Sequence, residues 1–162
     1  MPIPLSPVAL SLVPVTAANW RAAMALRVTP AQLPFVADTQ PVAAIALAKA
    51  HVGAVGHVWS PLLILHGETP LGFLALTHPA ADPTHAWLFH FFVDHRHQRQ
   101  GHARAAMAAL LALMRTRTPP PSRLSLLVSP ANTAAQSLYR AIGLAPTGAE
   151  ADGDLVMSRT LP

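Results

Sequence analysis

The chain has 162 residues, 52% of them apolar and 11% charged, which supports one globular domain, 1–162, with its own core and excludes an intrinsically disordered chain. It has no cysteine, which excludes disulfides, a thiol nucleophile and a thiolate-held metal. Its formal charge of +4 suits an anionic ligand. No basic run interleaved with aromatics appears, so nucleic acid is not an expected partner.

Met1 to Trp20 is uncharged, yet Pro2, Pro4, Pro7 and Pro14 would break a spanning helix and no basic region precedes them. No membrane partner is therefore expected, and the expected compartment is the cytoplasm. Val8 to Val15 reads as a first strand, with Thr16 as N-cap of a short helix through Asn19, Trp20, Ala23 and Leu26. Pro30 and Pro34 interrupt the pattern, and Val42 to Ala50 is a second, alanine-rich helix that Gly53 and Gly56 end. Leu62 to Leu65 and Leu71 to Leu76 are apolar runs around a polar turn, which predicts a hairpin. Trp87 to Val93 is the next strand and Gly101 to Met114 the next helix, stopped before Pro119, Pro120 and Pro121. Leu124 to Val128 predicts a strand, and Asn132 to Ile142 a helix closed by Gly143. Leu155 to Ser158 is a last strand after the turn Asp152-Gly153. The order predicts an α/β fold, a mixed and mostly antiparallel sheet of six to seven strands flanked by about four helices.

The stretch from Phe91 to Arg104 carries the chemistry. An apolar strand ends in the polar loop Asp94 to Gln100, Gly101 follows, and an alanine-rich helix starts at once. A glycine permits close backbone approach, and the unpaired amides of a first helical turn favour an anion. Neither Gly-x-Gly-x-x-Gly nor the Gly-x-x-x-x-Gly-Lys-Ser/Thr loop is present. What stands there is Gln98-x-x-Gly101-x-Ala103. After the next strand comes Asn132-x-x-Ala135-x-x-Leu138-Tyr139-x-x-x-Gly143-Leu144. Together, in this order and at this distance, the two elements resemble those of the GNAT superfamily of acyl-CoA-dependent N-acetyltransferases, with Ala103 in a glycine position and Leu144 in a phenylalanine position.

The resemblance implies the GNAT fold and acetyl-CoA as co-substrate. It implies that Phe92, Val93 and Asp94 lie beside the pantetheine arm, and that the amides of Gln98, Arg99, Gln100, Gly101, His102 and Ala103 receive the pyrophosphate, with Arg104 as a charge partner. Asn132, Ala135 and Tyr139 also face the cofactor, and Tyr139 is the implied general acid for the departing thiolate. Residue chemistry leaves other readings open: Tyr139 as a packing aromatic and Asn132 as a helix N-cap. The base is not legible; His85, His90 and Asp94 are candidates beside ordered water, with His90 taken as the side-chain choice. His95-x-His97 lacks a third ligand at fixed spacing, so no metal is expected. The superfamily also makes a homodimer an expected partner.

Smaller matches resemble the bacterial spermine/spermidine acetyltransferases within that superfamily: Thr16 to Arg21, Gln32-x-x-Phe35-Val36-Ala37, Pro70 to Phe73, Phe92 to Asp94 and Pro146 to Met157. These imply a polyamine or diamine acceptor. Glu150 and Asp152, with Asp154, supply negative charge for such a cation. Two alternatives stand beside it: another small amine or a peptide N-terminus as acceptor, and a catalytically weak acyl-CoA-binding or sensing domain.

Overall fold

The alternating apolar runs close into one seven-stranded sheet, seen in a computed structural model that describes residues 9–162. Val8, Pro2, Pro4 and Pro7 lie outside the described residues. The strands are β1 (Ser11–Pro14), β2 (His57–His66), β3 (Thr69–Pro79), β4 (His85–Val93), β5 (Arg123–Val128), β6 (Ala145–Ala151) and β7 (Asp154–Thr160), in the spatial order β1-β2-β3-β4-β5-β7-β6. The helices are α1 (Trp20–Ala25), α2 (Val42–Val52), α3 (His102–Arg115) and α4 (Thr133–Ala141). All strand pairs are antiparallel except β4 with β5. The predicted α/β class and the mostly antiparallel sheet are both present.

Burial explains the layers. On β3, Leu71 to Thr77 are buried without a break, as a central strand covered on both faces requires. One face packs on α3, where Ala106, Met107, Leu110 and Met114 form an apolar stripe at helical spacing. Each large side chain buried there stabilises the fold by about 1.5–3 kcal/mol. The other face packs on α1 and α2 through Ala23, Leu26, Val42, Ala43 and Ala46 against Leu63, Phe73 and Phe92.

Two local expectations need correction, and one strand leaves no signal. Thr16 is not the cap of α1: that helix begins at Trp20, and Thr16 instead closes a turn in which its amide donates to Asn19 Oδ1 at 2.7 Å. The hairpin strands run beyond their apolar cores, to His57–His66 and Thr69–Pro79, because polar residues such as Ser60 and Thr77 continue the pairing. β6 is an edge strand that is almost wholly exposed and so carries no apolar alternation to read.

Candidate active site

The cleft begins where the parallel pairing stops. β4 and β5 pair from His85 with Arg123 to Leu88 with Leu126, and no further. Beyond that point the strands part, leaving inward backbone groups without a sheet partner. β4 is also bulged against β3: Ala75 faces Phe89 and Phe73 faces Phe92, so His90 and Phe91 together oppose one residue. His90 takes up the irregularity with φ +53°, a conformation uncommon for a non-glycine residue and concentrated at functional sites. A cavity of about 520 Å³ fills the gap, with Phe91, Phe92 and Val93 on one wall and Leu127 and Val128 on the other.

The loop predicted to cradle phosphate forms one end of this cavity. Arg99 and Gly101 both have positive φ, +60° and +80°, and Gly101 is the residue from which α3 starts. Gln98, Arg99, Gly101, His102, Ala103 and Arg104 line the cavity, whereas Gln100 does not. Among the described residues, no protein group accepts a hydrogen bond from the amides of Gln98 to Arg104; the first amide of this region with a partner is Ala105, which donates to Gly101 at 3.1 Å. A polyphosphate fits such a set of donors, with two arginines beside it.

Two polar clasps hold the loop. Gln98 and Gln32 exchange amide hydrogen bonds at 2.8 and 3.0 Å, and Gln98 Nε2 also donates to the Val93 carbonyl at 2.9 Å. Asp94 does not face the cavity. Its fully buried carboxylate accepts from the Arg27 amide at 2.8 Å, the Arg96 amide at 3.0 Å and the Arg96 guanidinium at 2.7 and 3.2 Å. Burial alone would push this carboxyl up; the hydrogen bonds from Arg96 and Arg27 and the Arg96 charge outweigh it and hold it at about 2. Asp94 ties the turn after β4 to the end of α1, where His95 also donates to the Arg27 carbonyl at 2.8 Å.

α4 supplies the opposite wall. Asn132 caps it, accepting from the Ala135 amide at 3.2 Å, and both residues line the cavity with Tyr139. Tyr139 is 8% exposed, and burial pushes its phenol well above the ordinary value, so it stays protonated. Among the described residues no side-chain polar atom is both sealed and unpartnered. The Tyr139 hydroxyl, which has no hydrogen-bond partner among the described residues, is therefore not sealed off, and the residue lines the cavity.

Tyr139 also lines a second cavity of about 340 Å³ on the other side of Phe91. Here Asp38, Lys49, His90, Asp152 and Asp154 come together; Glu150 stays outside. His90 Nδ1 lies 2.7 Å from the Val36 carbonyl and must donate to it, so Nε2 is an acceptor, and Lys49 Nζ sits 3.0 Å away. Burial pushes His90 down, the Val36 bond opposes this, and Lys49 adds to the lowering. Lys49 is lowered as well, by burial, against the pull of Asp38. His85 lies away from this cavity, paired with Ser125 at 2.8 Å and Arg123 at 3.0 Å. Among the described residues no three His, Asp or Glu side chains stand close enough together to hold a metal ion, and no described helix is long and apolar enough to cross a membrane.

The model of the Acetyltransferase (GNAT) family matches residues 38–144, two thirds of the chain, which include the phosphate loop, His90 and Tyr139 but not Asp152 or Asp154. The chain belongs to this family. It is accordingly an acyl-CoA-dependent acetyltransferase with acetyl-CoA as co-substrate. No curated protein sequence matches it. Among solved structures it is similar to the Vibrio cholerae spermidine N-acetyltransferase in complex with CoA and spermine, with 15% identity over 94% of this chain and 96% of that one and a TM-score of 0.71. It is also similar to the Salmonella typhimurium acetyl transferase that modifies the N-terminal serine of 50S ribosomal subunit protein L7/L12, with 16% identity, 99% of each chain covered and a TM-score of 0.67. An Agrobacterium tumefaciens acetyltransferase shares 24% identity over 98% of this chain and 95% of that one, with a TM-score of 0.63. At these identities the likeness is one of fold.

Sequence reasoning missed three members of this region: Gln32 as partner of Gln98, and Asp38 and Lys49 beside His90. Gln32 belongs to the segment Gln32-x-x-Phe35-Val36-Ala37, so a signal existed there. Lys49 is the one lysine in the chain, a hint that carries weight only once its surroundings are known.

Proposed function

We propose that this acetyltransferase moves the acetyl group of acetyl-CoA to a primary amine of a small polycation, a polyamine or diamine. The observation that carries this reading is the second cavity: Asp38, Asp152 and Asp154 converge there in a chain whose formal charge is +4. A cation about 4 Å from one carboxylate gains roughly 1 kcal/mol in water and roughly 4 kcal/mol at an effective dielectric of 20, so converging acids are worth at least tenfold in affinity for a second ammonium.

In this reading the phosphate loop amides, Arg99 and Arg104 anchor the cofactor, and Phe92, Val93, Asn132 and Ala135 align its arm. The co-substrate supplies an activated acetyl thioester. Tyr139 stands where both cavities meet, and its protonated hydroxyl donates to the sulfur as charge develops there. An alkyl amine with a pKa near ~10 must lose a proton before it attacks. Lys49 occupies the His90 lone pair, so cavity water takes this proton first and His90 acts as base only when Lys49 releases it.

The test is thiol release from acetyl-CoA with spermine, spermidine, short diamines, neutral monoamines and short peptides. Saturable turnover that favours the polycations is the expected result. Turnover of peptides alone would move the acceptor to a terminal amine, and tight acetyl-CoA binding without turnover of any amine would favour a sensing domain.

A further inference from the structure

We infer that Lys49 is a self-acetylation site: its amine stands as a built-in acceptor in the second cavity, held 3.0 Å from His90 Nε2 on the bulge of β4. This rests on reading that cavity as the acceptor side. Lys49 sits in the last turn of α2, whose Val42, Ala43 and Ala46 are fully buried against the sheet, so the helix carries the side chain to the bulge as a fixed tether. Its Nζ lies 5.5 Å from the Trp59 ring centroid, which confines it further.

The hydrogen-bond roles favour an amine ready to react. Because His90 donates from Nδ1 to Val36, Nε2 can only accept, and Lys49 satisfies it with one N–H. A neutral amine that gives one N–H to His90 keeps its own lone pair free. Burial favours that neutral form, in partial opposition to Asp38. A tethered nucleophile also escapes the entropy cost of a free acceptor, which in well-oriented intramolecular reactions amounts to several orders of magnitude in effective concentration.

The step balances. The Lys49 nitrogen forms a bond to the acetyl carbon as the carbon–sulfur bond breaks; the surplus amine proton passes to His90 Nε2 and on to water, and the thiolate leaves as free thiol after taking up a proton. The product is Nε-acetyl-Lys49. Its consequence is electrostatic: Lys49, the one basic amine among the described residues that line this cavity, can no longer take up a proton there, so Asp38, Asp152 and Asp154 face a cationic acceptor without a competing cation.

The full chain is incubated with ¹³C-labelled acetyl-CoA and no amine, and acetyl content is read by intact mass before and after, then located by peptide sequencing. One labelled acetyl on Lys49 is expected, at a rate independent of protein concentration and at least tenfold above that of a free peptide of residues 43–52. Lys49→Arg should take up none. Labelling no faster than in the free peptide, labelling confined to the α-amino group, or no labelling overturns the inference. The two readings fail separately: labelled Lys49 without polyamine turnover overturns only the acceptor assignment, while polyamine turnover with Lys49 unlabelled overturns only self-acetylation.

Discussion

Asp94→Asn isolates the clasp beneath the phosphate loop. The carboxylate is fully buried, with one oxygen on the Arg96 amide and Nε and the other on the Arg27 amide and the Arg96 terminal nitrogen. An asparagine keeps one of these acceptors and turns a donor toward the other pair, so a donor faces donors in a buried site. The carboxyl is held at about 2 against an ordinary 3.8. At ~1.36 kcal/mol per pH unit this amounts to about 2.5 kcal/mol of stability. Because the folded-state carboxyl is the stronger acid, the contribution is complete above about pH 4 and is lost as pH falls from there through about 2. Urea unfolding at pH 7 should therefore show Asp94→Asn about 2–3 kcal/mol less stable than wild type, a midpoint shift on the order of 1 M. Repeated down to pH 2, the two stabilities should converge. A variant within about 0.5 kcal/mol of wild type at pH 7, with an unchanged acid slope, would refute the reasoning.

Other changes probe the scaffold and the cavities. Gly72→Ala should destabilise the fold by about 1–3 kcal/mol, seen as a lower Tm, because a methyl group there is driven into the Phe92 carbonyl oxygen and close to Ile64 and Val93. Gln32→Ala leaves Gln98 with only its Val93 contact, so the Kd for CoA measured by calorimetry should rise about threefold to tenfold with little change in Tm. Asp152→Asn combined with Asp154→Asn should raise KM for spermine at least tenfold, change KM for acetyl-CoA little, and flatten the dependence of kcat/KM on salt.

What the sequence made legible is local. Gly101 at a helix start, Asn132 at the head of α4 and the apolar stripe of α3 each announce themselves within a dozen residues, because capping and periodicity act at that range. The cavity beside His90 is assembled otherwise. Lys49 and His90 are 41 residues apart, and Gln32 and Gln98 are 66 apart. Neither pair leaves a local pattern, and the β4 bulge interrupts no visible alternation in His85 to Val93. The motif brought Asp94 to the right segment but not to the right side: next to Val93, which lines the cleft, its side chain turns into the Arg27 and Arg96 network.

The most direct test of the central claim is kcat for the best amine in wild type and in Tyr139→Phe, with the Kd for CoA measured on both. A general acid at the meeting point of the two cavities predicts a fall in kcat of about a hundredfold or more with an unchanged Kd. An unchanged kcat in a folded Tyr139→Phe enzyme would contradict the account.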